Sequence, residues 1–224
     1  MGVIQLILSI VVILLFGSFY WKVLSLLGLH FKGNALTIAN FVKHLLVTLI
    51  VFAIYYRNIK AGKNKFGNSM LNNIIYSVSC FVFLVVVTIV LTKVLNYLGN
   101  PRGITVPYRF TDYFHTKFTL DSALNLIVDA IFLPFLLCIV YPLGFSNIFK
   151  KSSSASWLAG LTYGIIYAID LHTSIERALF LALTPAIIVV LLTYLYKTNH
   201  NIWSVIITYV CYVLFGVFAI NYFI

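Results

Sequence analysis

Charge is what this chain has least of. Only 9% of its 224 residues are Asp, Glu, Lys or Arg, and five are acidic. A soluble domain averages about 25% charged residues, so a surface clothed in water is excluded. Cysteine is scarce as well. Cys80, Cys138 and Cys211 each sit inside an apolar run, with no CxxC pair and no His-rich neighbourhood. They read as small packing residues, neither disulfides nor metal ligands. Missing too are paired acids and a Gly-rich phosphate loop, which excludes glycosyl and phosphoryl transfer of the usual kinds. Thiol catalysis at Cys138 would need a nearby imidazole or cation to form thiolate; its neighbours are Leu137, Ile139 and Val140. No internal repeat and no soluble domain is visible.

What is present is hydrophobic length. Apolar residues make up 62% of the chain and mean hydropathy is +1.04, so the bilayer is the solvent. Only helices or closed barrels satisfy backbone groups in lipid, and these runs are too long and continuous for alternating barrel strands. The expected fold is all-α, a polytopic bundle of seven transmembrane helices. The spans fall at Val3–Tyr20, Phe41–Tyr56, Leu71–Leu95, Ser122–Phe145, Trp157–Leu171, Ala178–Tyr196 and Ile202 to the C-terminus. The first run has no basic flank before it and no small-residue cleavage site, so it reads as a retained span. Residues 1–120 supply the N-terminal helices and an outer loop, and residues 121–224 a core, the two forming one structural unit.

The formal net charge of +10 is read as basic residues flanking spans and meeting anionic headgroups, and nucleic acid is not expected as a partner. The loop Arg57–Asn68 carries Arg57, Lys60, Lys63 and Lys65 with no acid. That marks it as cytoplasmic and puts the N-terminus on the same side. Asn100–Leu120, the longest polar stretch, then lies outside. The Ile-, Asn- and Lys-rich composition resembles that of low-GC bacteria, and the expected location is the plasma membrane.

Asp129 is the anomaly. It lies deep in the fourth span, where an aspartate costs about 2.5–3.5 kcal/mol on insertion scales. It should face the bundle interior and pair, with Lys93, His44 or a tyrosine hydroxyl. One reading is a buried tie between helices; the other is a binding or ion-pathway role. Tyr163 with Tyr167, and Tyr209 with Tyr212, are spaced to share helix faces. They either pack and hydrogen-bond between helices or line a cavity.

At Pro134 a family likeness begins. The segments PFLLCIVYPLG from Pro134, WLAGLTYGIIYAIDL from Trp157 and TYLYKTNHNIWSVIITYVCYV from Thr193 resemble, in order and spacing, the core of the CPBP family, the CAAX-protease and bacteriocin-processing (Abi) intramembrane proteins. The likeness covers roughly Ser122 to Gly216. In that family the first helix carries P-x-x-E-E-x-x-x-R, the second ends F-x-x-x-H, and the last carries H-x-x-x-N or H-x-x-x-D. Carried over, the glutamates fall at Leu137 and Cys138 and the arginine at Pro142. The second motif falls at Tyr167 and Leu171, the last at Tyr209 and Val213. None of the catalytic types survives. The family's chemistry needs a carboxylate to activate water and imidazoles to orient it or bind metal; leucine and valine cannot, and a tyrosine with a pKa of about 10 is a poor base.

The resemblance therefore implies a catalytically silent relative, without metal or cofactor. It would act on a partner membrane or cell-envelope protein as scaffold, regulator or bacteriocin-immunity factor. Two rivals stand beside it. A transporter or permease subunit would use Asp129 and the proline-broken helices at Pro134 and Pro185. An active protease would use a relocated site of Asp129, Asp170 and His172.

Overall fold

The computed structural model describes residues 2–18, 20–63, 70–97, 119–170 and 175–218. Their helices are α1 (Gly2–Ser18), α2 (Tyr20–Leu26), α3 (Asn34–Lys63), α4 (Met70–Tyr97), α5 (Leu120–Ile148), α6 (Ser152–Asp170), α7 (Ile175–Asn199) and α8 (Ile202–Phe218). Among the described residues there is no strand, as expected of a chain whose backbone must satisfy itself in lipid. Leu171, His172 and nearly all of the expected outer loop lie outside the described residues. Asp170 ends α6, and its side chain is likewise outside the description.

Four helices are long and apolar enough to cross a membrane: Asn34–Lys60, Leu71–Val94, Leu120–Ile148 and Leu181–Asn199. A fifth crossing follows if Gly2–Phe16 and Tyr20–Leu26, bent by 41°, make one span. Seven were expected. Of the remaining two, α8 is apolar over Ile202–Val217 but shorter than a full crossing. Helix α6 opens on the serine-rich turn Ser152–Ser156, which dilutes its apolar length.

Helix α5 is the axis of the bundle. In its most apolar window 44% of residues are buried, against 11% for α4; α5 is wrapped by protein and α4 faces lipid. The core joins Val51 and Tyr55 of α3, Cys138, Ile139 and Val140 of α5, Val189 and Leu192 of α7, and Val205 and Tyr212 of α8. It thus runs across both halves of the chain.

Two π turns interrupt α5, at Val128–Phe132 and Ile139–Leu143. Each goes with a proline. Pro134 and Pro142 have no N–H, so the carbonyls of Ala130 and Cys138 lose their usual i+4 donors. Bonds that skip to i−5, as from Leu133 to Val128 and from Gly144 to Ile139, let the helix continue past the break. At its N-terminus, Thr119 caps α5 by accepting from the Ser122 amide at 3.2 Å. At its C-terminus, Lys197 of α7 donates to the carbonyls of Phe149 at 2.7 Å, Ser146 at 3.1 Å and Lys150 at 3.4 Å.

Helices α6 and α7 pack closest. A Cβ placed on Gly160 would run into Val190 and come within 2.7 Å of the Ala186 carbonyl; one on Gly164 would lie 2.9 Å from the Ala186 Cβ. Gly160 and Gly164 face Ala182, Ala186 and Val190, residues four apart on each helix. Small side chains at this spacing let backbones approach, which drives packing where lipid offers no hydrophobic effect.

The turn from α7 to α8 is built from the KTNHN sequence. His200 takes a left-handed conformation (φ 51°) and its amide bonds the Tyr196 carbonyl at 2.7 Å, a helix-ending αL cap. Asn201 then starts α8 by accepting from the amides of Trp203 (3.0 Å) and Ser204 (3.4 Å), as N-cap asparagines do.

One end of the bundle collects the N-terminus and the C-terminal ends of α3, α5 and α7. A Cβ on Gly2 would touch Asn147 at 3.3 Å, and one on Gly144 would meet the Tyr55 hydroxyl at 2.8 Å. Gln5 donates to the Ile54 carbonyl at 2.9 Å and to the Asn58 side chain at 3.2 Å. Arg57, Lys60, Lys150, Lys151 and Lys197 therefore share this end, whereas Asp121 begins α5 at the other.

Candidate functional site

A four-residue step on a helix of 3.6 residues per turn drifts by about 40°. A π turn holds more residues per turn and so offsets that drift. This is how Asp129, Leu133, Leu137 and Tyr141, each four apart in α5, come to line one cavity of about 230 Å³. Pro134 and Leu136 join them. The far wall comes from other helices: Tyr163 and Ile166 of α6, Tyr209 and Val213 of α8, and Ile13 of α1.

The cavity gathers six of the residues singled out in the sequence, namely Asp129, Pro134, Leu137, Tyr163, Tyr209 and Val213. The others whose side chains are described lie outside its lining. Cys138 is fully buried in the core beside it, and Pro142 is packed inside the second π turn. Tyr167 meets the ring of Tyr163 with centroids 6.1 Å apart. Tyr212 stacks on Tyr209 at 5.8 Å but turns its hydroxyl to α4, 2.6 Å from the Thr88 Oγ1.

Asp129 is partly buried, about nine residues into α5. At about 1.5 Å per residue that is about 13 Å from the helix start. Of its possible cationic partners, Lys93 is exposed on α4, and the ring of His44 meets the Asn40 carbonyl at 2.9 Å through Nδ1. Tyr141 crosses Tyr163 edge to face at 5.0 Å, which holds two phenol rings at the cavity wall.

Chemically, the lining offers one carboxylate and three phenols among aliphatic side chains. Tyrosines can donate hydrogen bonds, but near neutral pH they are poor bases. Among the described residues, no three His, Cys, Asp or Glu side chains gather closely enough to hold a metal ion. A hollow lined in this way can hold a small molecule.

Sequence reading missed Tyr141 and Ile13 as part of this wall. Tyr141 could have been found from its place twelve residues after Asp129 in the four-residue series. Ile13 carries no such signal, because only the tertiary packing of α1 brings it in.

The chain is thus an all-helical protein with several helices able to cross a membrane, a multi-pass membrane protein. Comparison with protein-family models, with curated proteins and with solved structures gives no match.

Proposed function

We propose that this chain is a catalytically silent relative of the CPBP intramembrane proteins, seated in a bacterial plasma membrane with its N-terminus in the cytoplasm. It acts by binding a partner membrane or cell-envelope protein, as a scaffold, regulator or immunity factor. The observation that supports this reading is the meeting of Leu137, Tyr209 and Val213 at one cavity, although they come from α5 and α8. These are positions where the family resemblance calls for an acid, a histidine and an asparagine or aspartate. Aliphatic groups and a phenol in those places supply no proton acceptor of suitable strength, and the one carboxylate of the lining, Asp129, stands at a position for which the family motif has no acid.

A silent bundle works through its surface. On α4, Val78, Val82, Val86, Val90 and Val94 are all exposed and form a ridge of stiff β-branched side chains on which a partner helix can pack closely. The test is capture from native membranes followed by assay of what is captured. A stoichiometric partner whose own activity changes, and which is lost when Val82 and Val86 become tryptophan, is the expected result. Hydrolysis of a peptide by the purified protein, abolished by His172→Ala, would overturn the reading.

Transport is the second reading, and one observation favours it. An ionisable residue on a π turn, beside a helix-breaking proline, lines a cavity within the bundle, as transport sites often do. Substrate flux in proteoliposomes, lost in Asp129→Asn, is its test.

A further inference from the structure

We propose that a crevice between α4 and α7 holds one acyl chain of an anionic phospholipid, whose headgroup lies at the basic end of the bundle. The proposal rests on the membrane-spanning fold alone and needs no partner protein. The crevice is a second hollow, of about 250 Å³. Helix α4 starts soon after α3 ends, at the end of the bundle where α7 also ends, so depth from that end can be followed along both walls. Tyr76 and Thr198 line the crevice nearest the end, Phe83 and Leu191 lie deepest, and Ser79 and Tyr194 stand between. Hydroxyls thus collect toward the headgroup level and hydrocarbon side chains toward the middle of the bilayer. A phospholipid carries its own polar and apolar parts in the same order. Tyrosine hydroxyls can donate to its ester and phosphate oxygens, and tyrosines settle at this level of a membrane.

Shape and charge narrow the occupant further. Tyr76, Phe83 and Tyr194 are exposed, so the crevice opens onto the lipid-facing flank. From Tyr76 to Phe83, and from Leu191 to Thr198, is about 10 Å of helix at about 1.5 Å per residue. That is about two-thirds of one leaflet's share of a hydrocarbon layer about 30 Å deep. A helix is about 10–12 Å across with its side chains, too thick for a hollow of about 250 Å³, whereas a single hydrocarbon chain can lie along it. Arg57, Lys60, Lys150 and Lys151 are exposed at the basic end, and no described residue there is acidic. That balance favours an anionic headgroup over a zwitterionic one.

The test is native mass spectrometry of the purified full chain, delipidated in mild detergent and offered phosphatidylglycerol or phosphatidylcholine with the same acyl chains. One phosphatidylglycerol per chain is expected to survive activation that strips other lipid, at an occupancy at least fivefold above that of phosphatidylcholine. Ser79→Trp, which puts a ring into the crevice from an exposed position, should cut that occupancy at least fivefold. Leu161→Trp, on the exposed flank of α6, should leave it unchanged. Should Ser79→Trp not fold, the native chain decides through a phosphatidylglycerol with a diazirine in its acyl chain, whose label should concentrate on residues 76–83 and 191–198. Equal retention of the two lipids would overturn the proposal, as would undiminished retention in a folded Ser79→Trp protein or label spread evenly over the exposed faces of α1 and α6.

Discussion

Lys197 ends α7 but serves α5. Its ammonium binds three carbonyls at the C-terminal end of α5, that of Ser146 in the last turn and those of Phe149 and Lys150 just past it, two of them at 3.1 Å or less. A cation placed there satisfies orphan acceptors and complements the negative end of the helix dipole. Hydrogen bonds from a charged group contribute about 1.5–3 kcal/mol. Lys197→Met should therefore lower the melting temperature in detergent, and Lys197→Arg should restore part of the loss. Between α4 and α8, Tyr212→Phe removes the 2.6 Å bond to Thr88. It should cost about 1 kcal/mol, and a Tyr212→Phe/Thr88→Val double-mutant cycle should show coupling between the two. The sequence made some of this legible at single positions. Asp129 stands out as a lone acid in an apolar run, and KTNHNIW stands out as a turn. Which way Tyr212 points was not legible, because its three-residue spacing from Tyr209 names a helix face but not the neighbour that covers it.

At the scale of elements, the contact between α6 and α7 depends on the absence of side chains. Gly160→Leu would drive new atoms into the Ala186 backbone carbonyl, which cannot rotate aside as a side chain can. Overpacking of this kind costs about 1–3 kcal/mol; a matching drop in thermal stability is expected, with Leu161→Ala, on the exposed face of the same helix, nearly neutral. In α5 the lever is Pro134. Pro134→Ala restores an N–H to the helix ladder and should raise stability by up to about 3 kcal/mol. The π turn at Val128–Phe132 would then have less reason to persist; a lowered melting temperature would show that the proline itself holds the bend. The small-residue series at Ser156–Gly160–Gly164 and Ala178–Ala182–Ala186 was present in the sequence all along. Its spacing names no partner helix, and the reading of the sequence above did not draw on it. The π turns had no signature beyond the two prolines, because a shift of one hydrogen bond leaves no periodicity to read.

Seen whole, the bundle has a basic end and an end that holds Asp121 and the start of α5. Hydropathy alone located the long spans, because nothing in them competes with burial. Beside the seven it gives, four or five helices among the described residues are long and apolar enough to cross, since serines dilute the apolar run of α6 and α8 is short. For orientation, cysteines placed at Lys60 and Lys150 in a background lacking the native three should behave alike. Both should resist an impermeant maleimide in intact cells and react in inverted vesicles; reaction in intact cells would reverse the orientation proposed here.

Helix α6 also bears on the membrane around it. Between its serine-rich start and Asp170 its apolar part runs from Trp157 to Ile169, about 20 Å at 1.5 Å per residue, and Trp157, Leu161 and Ile165 on that stretch are exposed. The hydrocarbon layer of a bilayer is about 30 Å deep. Acyl chains touching this flank must shorten or tilt, so the sheet of lipid dents inward beside α6 while keeping its full depth along α4. A lopsided collar of this sort would draw the molecule toward thinner patches of membrane. Reconstitution in short-chain phosphatidylcholine should raise its thermal stability relative to long-chain lipid.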